Sequence, residues 1–311
     1  MGLDVSRVLQ IRYVKLHFTI MFPQDSILPK SKASALRGGM GEMLLRANCV
    51  SDRNCDNCVF YKECIVQRTM YSQFENKPDF ITTGDSVGYV VECENYEEEF
   101  PTGSTLTFNL ILFGKTIVYF NQYLQALFAL GQNGIGKEHA KFYIQQVTNT
   151  RGQEILDGNN VYMKYYQVEH LQDYVDYRMK QIADSKFPQK LIFHTPLSQK
   201  FGGEFLQEFN MQAITKAIQR RLYMLAAFEE IEAEEMYRME LNEPKIIAQE
   251  VRTIHVQRYS TRQDSKMYLK GIKGKIEVEE IGEEILPLYL AGELIHIGKN
   301  TSFGFGRYTL R

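Results

Sequence analysis

Long apolar runs and an excess of basic residues are both missing from this chain of 311 residues. No apolar stretch approaches the roughly 18 residues that a membrane-spanning helix needs. The first ten residues carry acidic and basic side chains where a signal peptide would have an apolar segment. With 44% hydrophobic residues, the chain can still bury one large core or two ordinary ones. We therefore expect a globular cytoplasmic protein with no membrane contact.

The formal net charge of −2 argues against a surface coated with basic groups. Charge is instead segregated along the chain. Residues 251–275 hold seven Lys or Arg against one acid, residues 229–243 hold seven Glu against one Arg, and residues 92–99 hold five Glu and no base. Any nucleic-acid site must therefore be a local patch, and residues 251–275 are the candidate.

Cysteine is also scarce, but four of the five cysteines fall within sixteen residues, at Cys49, Cys55, Cys58 and Cys64. Disulfides are not expected in the cytosol, whereas four clustered thiolates match a tetrahedral structural zinc site. The central C-x2-C is the strongest part of this pattern. An iron–sulfur cluster and a metal-free knuckle are the alternatives. Because all four ligand positions would be filled, we expect a structural zinc and no catalytic metal.

Hydrophobic periodicity predicts a strand, a helix, two strands, a helix and a strand in the first half, over residues 8–20, 31–47, 88–95, 104–113, 117–130 and 141–148. This is the order of a split βαβ, or ferredoxin-like, domain. In the second helix we expect four side chains to face inward, namely Phe120, Leu124, Leu127 and Phe128.

The pattern restarts in the second half, with a strand, a helix, a strand, a hairpin, a helix and a strand predicted over residues 190–195, 204–227, 246–259, 267–279, 283–295 and 305–310. Both halves close with an apolar helix, a glycine-rich loop containing lysine, and an edge strand. We therefore predict an α+β chain of two tandem ferredoxin-like, RRM-like domains, 1–150 with a four-cysteine knuckle at 49–64 and 151–311.

The second glycine-rich loop has the composition of an anion site, with glycines, hydroxyls and cations in one short stretch. Glycines allow close backbone approach and leave N–H groups to face phosphate oxygens. A tight turn is the alternative interpretation. The P-loop spacing of glycine, lysine and hydroxyl is absent, so the loop is predicted to bind RNA phosphates and not a mononucleotide. Arg37, early in the first helix, could meet a phosphate near the positive end of the helix dipole.

Together these segments resemble the CRISPR-associated RAMP endoribonucleases that process precursor CRISPR RNA, in the subgroup with an internal four-cysteine knuckle. The resemblance is carried by LRGGMGEML with the cysteines (36–64), GIGKEHAKFYIQQV (134–147), LIFHTPL (191–197), RYSTRQ (258–263) and PLYLAGELIHIGKNTSFGFGRY (287–308). It implies two ferredoxin-like domains with RNA bound across the cleft between them. It also implies metal-independent cleavage within a repeat hairpin, in which the 2′-hydroxyl attacks the adjacent phosphodiester and leaves a 2′,3′-cyclic phosphate and a 5′-hydroxyl.

This chemistry needs a base, an acid and cations on the transition state, and histidine suits either proton-transfer role. Of the six histidines, His296 is the first candidate because it precedes the glycine loop; Tyr259 and Lys299 complete the predicted catalytic set. The predicted RNA contacts are Arg37, Arg258, Arg262, Lys266, Gly298, Thr301, Ser302, Gly304, Gly306 and Arg307. The implied partners are CRISPR repeat RNA and other CRISPR effector subunits.

The sequence departs from the family pattern in one respect. Many of these nucleases place the catalytic histidine in or just before the first helix, yet residues 21–47 contain none. Three alternatives follow. The base comes from elsewhere, or a tyrosine and cations carry the site, or the protein is a non-catalytic RAMP subunit that holds guide RNA. A zinc-knuckle protein for another nucleic acid is a more remote possibility.

Overall fold

The structure is a computed structural model of the whole chain. It describes residues 5–81, 86–158, 160–182, 189–260 and 265–311, and for residues 259, 260, 265 and 266 the description covers the backbone alone. Within these ranges, no helix is long and apolar enough to cross a membrane.

The helices are α1 (Lys32–Asn48), α2 (Ile65–Met70), α3 (Phe120–Asn133), α4 (Leu171–Ile182), α5 (Met211–Phe228), α6 (Glu234–Arg238) and α7 (Leu286–Ile295). The strands of the first half are β1 (Arg12–Met21), β2 (Ser26–Ile27), β3 (Tyr89–Glu92), β4 (Glu99–Phe100), β5 (Thr105–Phe113), β6 (Tyr143–Thr148), β7 (Glu154–Asp157), β8 (Asn160–Val161) and β9 (Glu169–His170). Those of the second half are β10 (Gln189–Phe193), β11 (Lys200–Phe201), β12 (Glu204–Phe205), β13 (Ile246–Ser260), β14 (Ser265–Val278) and β15 (Tyr308–Leu310).

The first half forms an antiparallel sheet in the order β3-β5-β1-β6-β7-β8, with β9 also paired to β1. Strand β1 alternates as predicted, with its four apolar residues buried and the side chains between them partly exposed, namely Val14, Leu16, Phe18 and Ile20 against Lys15, His17 and Thr19. The apolar residues of β1 share a core with those of α1 and α3. A period-two strand with one apolar face thus receives both helices on that face.

The second half forms a four-stranded antiparallel sheet in the order β13-β14-β10-β15. Each sheet has four main strands, β1, β3, β5 and β6 in the first half and β10, β13, β14 and β15 in the second. Counted along the chain among these four, both sheets have the order second, third, first, fourth. The hairpin predicted at 267–279 is wrong, because β14 is one continuous strand through Gly271 and Gly274. A Cβ on Gly274 would lie 1.9 Å from the carbonyl oxygen of Glu250. These glycines permit close backbone approach within a strand and do not mark a turn.

Two other local predictions are wrong. The helix predicted to begin at residue 204 begins at Met211, where Asn210 caps it by accepting a hydrogen bond from the Ala213 amide at 2.9 Å. Residues 200–205 form a small hairpin instead. Phe128, predicted to face inward on α3, is 40% exposed, because the buried stripe of that helix runs through residues 120, 124, 127 and 130.

The two halves share one of the two apolar cores. The second face of the first sheet, through Tyr13, Ile111 and Phe113, is in the same buried cluster as α5 and α7. Strands β7 to β9 extend the first sheet as far as residue 170, beyond the predicted domain limit at 150. Helices α5 and α7 thus take part in the junction that positions the glycine loop.

Candidate nucleic-acid interface

The glycine loop, residues 298–306, follows α7 and turns back on its own start. The helix ends at Ile295, and the next residue, His296, has a φ of 57°, in the left-handed region. The Ile297 amide donates to the Gly306 carbonyl oxygen at 3.1 Å. A Cβ on Gly306 would lie 1.8 Å from the Ile297 carbonyl oxygen. Glycine is therefore required here because the backbone closes against itself.

Most of the loop amides are used within the protein. Carbonyl oxygens of the protein accept hydrogen bonds from five of them, those of Lys299, Phe303, Gly304, Phe305 and Gly306. The Thr301 and Ser302 side chains are buried. These five amides are not free to cradle a phosphate, so an anion at this loop would be held mainly by side chains.

Two further glycines bring the loop against neighbouring backbone. A Cβ on Gly298 would lie 2.7 Å from the Ser198 carbonyl oxygen, and one on Gly304 would lie 2.6 Å from that of Val91 in β3. Since Val91 belongs to the first sheet, the glycine loop is a contact between the two halves. The predicted loop glycines thus serve close packing between protein segments.

Phe303, at the tip of the loop, lies between two guanidinium groups from different halves of the chain. The Arg37 and Arg258 guanidinium carbons each lie 4.7 Å from its ring centroid. Arg37 Nη2 also donates to Ser86 Oγ at 3.0 Å, and Arg258 Nη2 lies 3.3 Å from Met267 Sδ. The structure therefore brings together two predicted RNA-binding residues that are 221 positions apart.

This cation pair has no counter-ion among the described side chains, since neither arginine forms an ion pair there. The Nε atoms of both are buried and have no hydrogen-bond partner in the described part of the chain. Burial and the neighbouring Arg37 lower the pKa of Arg258. Holding two desolvated like charges together costs free energy that a bound anion would recover.

On the other side of the glycine loop lie its two flanking residues, His296 and Arg307. Both contact the carboxylate of Glu92, which is almost fully buried. Its Oε2 accepts from Lys15 Nζ at 2.8 Å and from Asn109 Nδ2 at 2.7 Å. Its Oε1 lies 2.9 Å from His296 Nε2 and 3.6 Å from Arg307 Nε. One carboxylate from β3 therefore holds cationic groups from both halves of the chain.

His296 is fully buried, and both its ring nitrogens face acceptors. Nδ1 lies 2.9 Å from the Phe305 carbonyl oxygen and Nε2 lies 2.9 Å from Glu92 Oε1. Both ring nitrogens of His296 are therefore engaged by groups within the protein. In this structure His296 fastens the glycine loop to β3, and its ring is not accessible to solvent.

Burial alone would raise the pKa of Glu92, but Lys15, the hydrogen bond from His296 and Arg307 outweigh it and hold that pKa well below its usual range. Arg307 also forms an ion pair with Glu94. Burial lowers the pKa of Arg307, yet Glu92 and Glu94 raise it overall. The predicted phosphate ligand Arg307 is thus already neutralised by two carboxylates.

The remaining predicted residues fall into two groups. Lys299 is exposed, and its amide donates to the Ser198 carbonyl oxygen at 2.7 Å. Arg262 lies outside the described residues, as do the side chains of Tyr259 and Lys266. Their proposed roles remain predictions.

The four clustered cysteines, Cys49, Cys55, Cys58 and Cys64, are free thiols that line one pocket beside the end of α1. Sγ of Cys49 accepts a hydrogen bond from the Arg53 amide at 3.2 Å. Across the described residues, however, no three His, Cys, Asp or Glu side chains are gathered closely enough to hold a metal ion. The donor set suits zinc, but the thiols are not arranged as a ligand group here.

Sequence reasoning missed Glu92 and Phe303. Glu92 belongs to the acidic run 92–99 and to the predicted strand 88–95, and it was not selected as a site residue; in the structure it ends the otherwise apolar strand YVVE and is buried with it. The usable signal was this position at the end of an apolar strand. Phe303 lies between glycines in the very loop we singled out, and an aromatic ring beside cationic residues could have been recognised as a platform for guanidinium groups.

The fold and the contacts of the glycine loop define a two-part α/β protein with cationic side chains at the junction of its halves. Residues 191–308 match the family model of CRISPR-associated endoribonuclease Cas6. The AF_1859_N model, described as an N-terminal domain, matches residues 9–173. Since this is more than half of the chain, the protein belongs to the AF_1859_N family. An uncharacterized protein of Archaeoglobus fulgidus is 24% identical over 97% of this chain and 98% of its own length.

Solved structures share the fold. A Cas6 of Thermus thermophilus in a product complex superposes with a TM-score of 0.55 at 11% identity, over 97% of this chain and all of that one. Another Cas6 product complex gives 0.52 at 16% identity, over 96% and 99%. A partial Cas6-RT-Cas1–Cas2 complex gives 0.58 at 11% identity over 97% of this chain, which spans only 46% of that longer protein. At these identities the likeness establishes the fold alone.

Proposed function

We propose that this protein is an endoribonuclease that processes precursor CRISPR RNA. The proposed reaction is metal-independent cleavage within the repeat by attack of the RNA 2′-hydroxyl. The products are a 2′,3′-cyclic phosphate and a 5′-hydroxyl. The match of residues 191–308 to the Cas6 model supports this class of substrate and reaction. We further propose a RAMP protein of two ferredoxin-like domains, and the shared strand order of the two sheets supports this assignment.

The single observation that carries the proposal is the Arg37–Phe303–Arg258 group. Two guanidinium groups from different halves meet on one aromatic ring, and among the described side chains neither has a carboxylate partner. An RNA phosphate would supply the missing negative charge, and the bidentate geometry of arginine suits phosphate oxygens. RNA would thus bind across the junction between the two halves.

His296, Tyr259 and Lys299 are the residues proposed for catalysis from the sequence. For His296 the buried contacts with Glu92 and Phe305 support a positioning role, which holds the glycine loop in place. Lys299 is exposed and able to approach a phosphate. The loop would then supply charge close to the scissile bond.

A non-catalytic RAMP subunit that holds guide RNA within an effector complex is the second candidate. It is favoured by the burial of His296, which removes the predicted base from the surface. The cation pair would serve RNA binding equally well without chemistry. CRISPR repeat RNA is the proposed partner in both cases, and other effector subunits are partners in the second.

The four cysteines are proposed to hold a structural zinc that takes no part in cleavage. Four thiols around one pocket support this proposal. Elemental analysis of the purified protein tests it directly, and a preparation with no metal per chain would contradict it.

Incubation with a panel of labelled CRISPR-repeat hairpins in EDTA tests the main proposal. We expect one repeat to be cut at a single position, with a 5′ fragment that ends in a cyclic phosphate. A 2′-deoxy substitution at that position is the matched control, because it removes the nucleophile and leaves binding largely intact. Tight binding without any cleavage would establish the second candidate, and absence of both would reject the class.

A further inference from the structure

The open face of the second sheet carries another cation pair beside an aromatic ring, and this one includes a histidine. Arg252 of β13 and Lys273 of β14 are direct cross-strand partners. Neither forms an ion pair with the described side chains. Burial and then Arg252 lower the pKa of Lys273, and Glu94 acts in the opposite direction.

Tyr96 reaches this pair from the first half of the chain. Lys273 Nζ lies 5.6 Å from the centroid of its ring, and the residue is 50% exposed. An exposed tyrosine with a cation over its ring is suited to stacking on an unpaired base. Like the Arg37–Phe303–Arg258 group, this site therefore combines two cations and one ring from both halves.

His194 lies beside it, immediately after β10. Leu191 and Phe193 face the core, so Ile192 and His194 point to the opposite, open side of the sheet. His194 is half-buried, and its Nε2 lies 2.9 Å from Thr309 Oγ1. If Nε2 donates to that hydroxyl, Nδ1 carries a lone pair. No hydrogen bond occupies Nδ1 in the described part of the chain.

Burial and the surrounding charged groups lower the pKa of His194. Burial lowers its pKa first; Glu94 acts in the opposite direction, while Arg307, Lys273 and Arg311 lower it further. A neutral imidazole is the form that accepts a proton. A base close to cations is the combination that 2′-hydroxyl attack requires.

The two cation sites lie along one strand. Arg252 and Arg258 are six residues apart on the same face of β13, which corresponds to roughly 20 Å of extended strand at about 3.3 Å per residue. RNA held at the Arg37–Phe303–Arg258 group can therefore follow β13 to reach His194.

We propose that His194, Lys273, Arg252 and Tyr96 form the site at which the RNA is cut, with His194 as the catalytic base. This assignment rests on the proposed endoribonuclease function. His194 Nδ1 takes the proton of the 2′-hydroxyl, and the 2′-oxygen forms a bond to the adjacent phosphorus. The bond from phosphorus to the 5′-oxygen breaks, and that oxygen takes a proton from the Lys273 ammonium. Arg252 contacts a non-bridging oxygen, and Tyr96 stacks on a neighbouring base.

The test uses the full chain and the repeat hairpin that the wild-type protein cuts. We expect His194→Ala to slow single-turnover cleavage at least about 100-fold, in line with the usual contribution of a general base. Its affinity for the 2′-deoxy hairpin should change less than about threefold. His170→Ala, which removes another partly exposed histidine, is the matched control and should cleave at the wild-type rate.

Two further readouts separate proton transfer from positioning. The wild-type rate should rise with pH through an apparent pKa below 6.5, and His194→Ala should lose this limb. Added imidazole should restore part of the activity of His194→Ala. A His194→Ala protein that cleaves within about twofold of wild type overturns the assignment while leaving the proposed function intact. A wild-type protein that cuts no repeat RNA overturns both.

Discussion

The two sides of the glycine loop hold their cations in opposite ways. On one side, Arg307 and His296 face the buried carboxylate of Glu92, and Arg307 also pairs with Glu94. On the other side, Arg37 and Arg258 contact Phe303, and neither has a carboxylate partner in the described part of the chain. On the first side, carboxylates of the protein neutralise the cations. On the second side, a bound anion would be needed to neutralise Arg37 and Arg258.

This difference separates two kinds of role within a short segment. Charges that are already neutralised and buried maintain the fold, and they contribute little to ligand binding. Charges left without counter-ions destabilise the free protein slightly and strengthen the binding of a polyanion. Substitutions on the two sides should therefore act on different properties, namely the free energy of unfolding and the affinity for RNA.

The largest effect is expected from Glu92→Ala. It leaves Lys15, His296 and Arg307 without their shared carboxylate, and removing one member of a buried ion pair typically costs about 3–5 kcal/mol. Urea unfolding monitored by circular dichroism measures this loss. Glu98→Ala, which breaks the exposed pair with Lys30, should cost less than about 1 kcal/mol. Equal losses in the two variants would contradict the comparison.

Acid should abolish the same stabilisation. The pKa of Glu92 is depressed in the folded state, so its contribution is fully present above the ordinary value of 4.5 and is lost as the pH falls through the folded-state pKa. The difference in unfolding free energy between wild type and Glu92→Ala should therefore shrink below about pH 4. A difference that stays constant from pH 7 to about pH 3 would show that folding does not lower the pKa of Glu92.

Gly304→Ala tests the loop that joins the two sides. The residue has φ of 80°, and an added Cβ would lie 2.6 Å from the Val91 carbonyl oxygen. We expect a loss of about 2–3 kcal/mol in the free energy of unfolding, which combines the left-handed backbone with the clash. Gly103→Ala is matched in φ at 80° but has open space around it, so it should lose only about 1 kcal/mol. Identical losses would show that the contact with Val91 is unimportant.

The smallest change in stability and a selective change in binding are expected from Arg258→Met. The substitution keeps an aliphatic side chain beside Phe303 and removes one of two like charges, so unfolding should shift by less than about 0.5 kcal/mol. Affinity for a repeat hairpin should fall by about 1–2 kcal/mol, and the salt dependence of binding should decrease by about one counter-ion. Arg7→Met, in an exposed pair with Glu232, is the control and should leave both unchanged. An unchanged salt dependence in Arg258→Met would remove Arg258 from the RNA path.

Strong periodicity made most of the fold predictable. The alternation in β1 and the spacing in α1 placed both elements to within a few residues, because each buries one regular apolar face. Local predictions were wrong where one residue type is compatible with two structures. Gly271 and Gly274 suggested a turn, and instead they let another backbone segment approach β14.

The candidate site was only partly predictable. Arg37 and Arg258 could be selected from local charge, but their meeting on Phe303 depends on how the two halves dock. The contacts of Glu92 also depend on how the two halves dock, because its partners come from β1, from β5 and from His296 at the end of α7. Local sequence indicates which residues are charged, and the tertiary arrangement decides which charges are compensated.

Arg221 of α5 makes the junction between the two halves rigid. Its buried guanidinium donates to the carbonyl oxygens of Val87 in the first half and Ile295 at the end of α7, and burial lowers its pKa to about 9. Parting the halves would strip a buried cation of its acceptors, a motion that the fold strongly resists. This contact therefore keeps the distance between the two cation sites constant. An RNA whose phosphates do not match this distance would be rejected, and this selection needs no closure of the protein around the RNA.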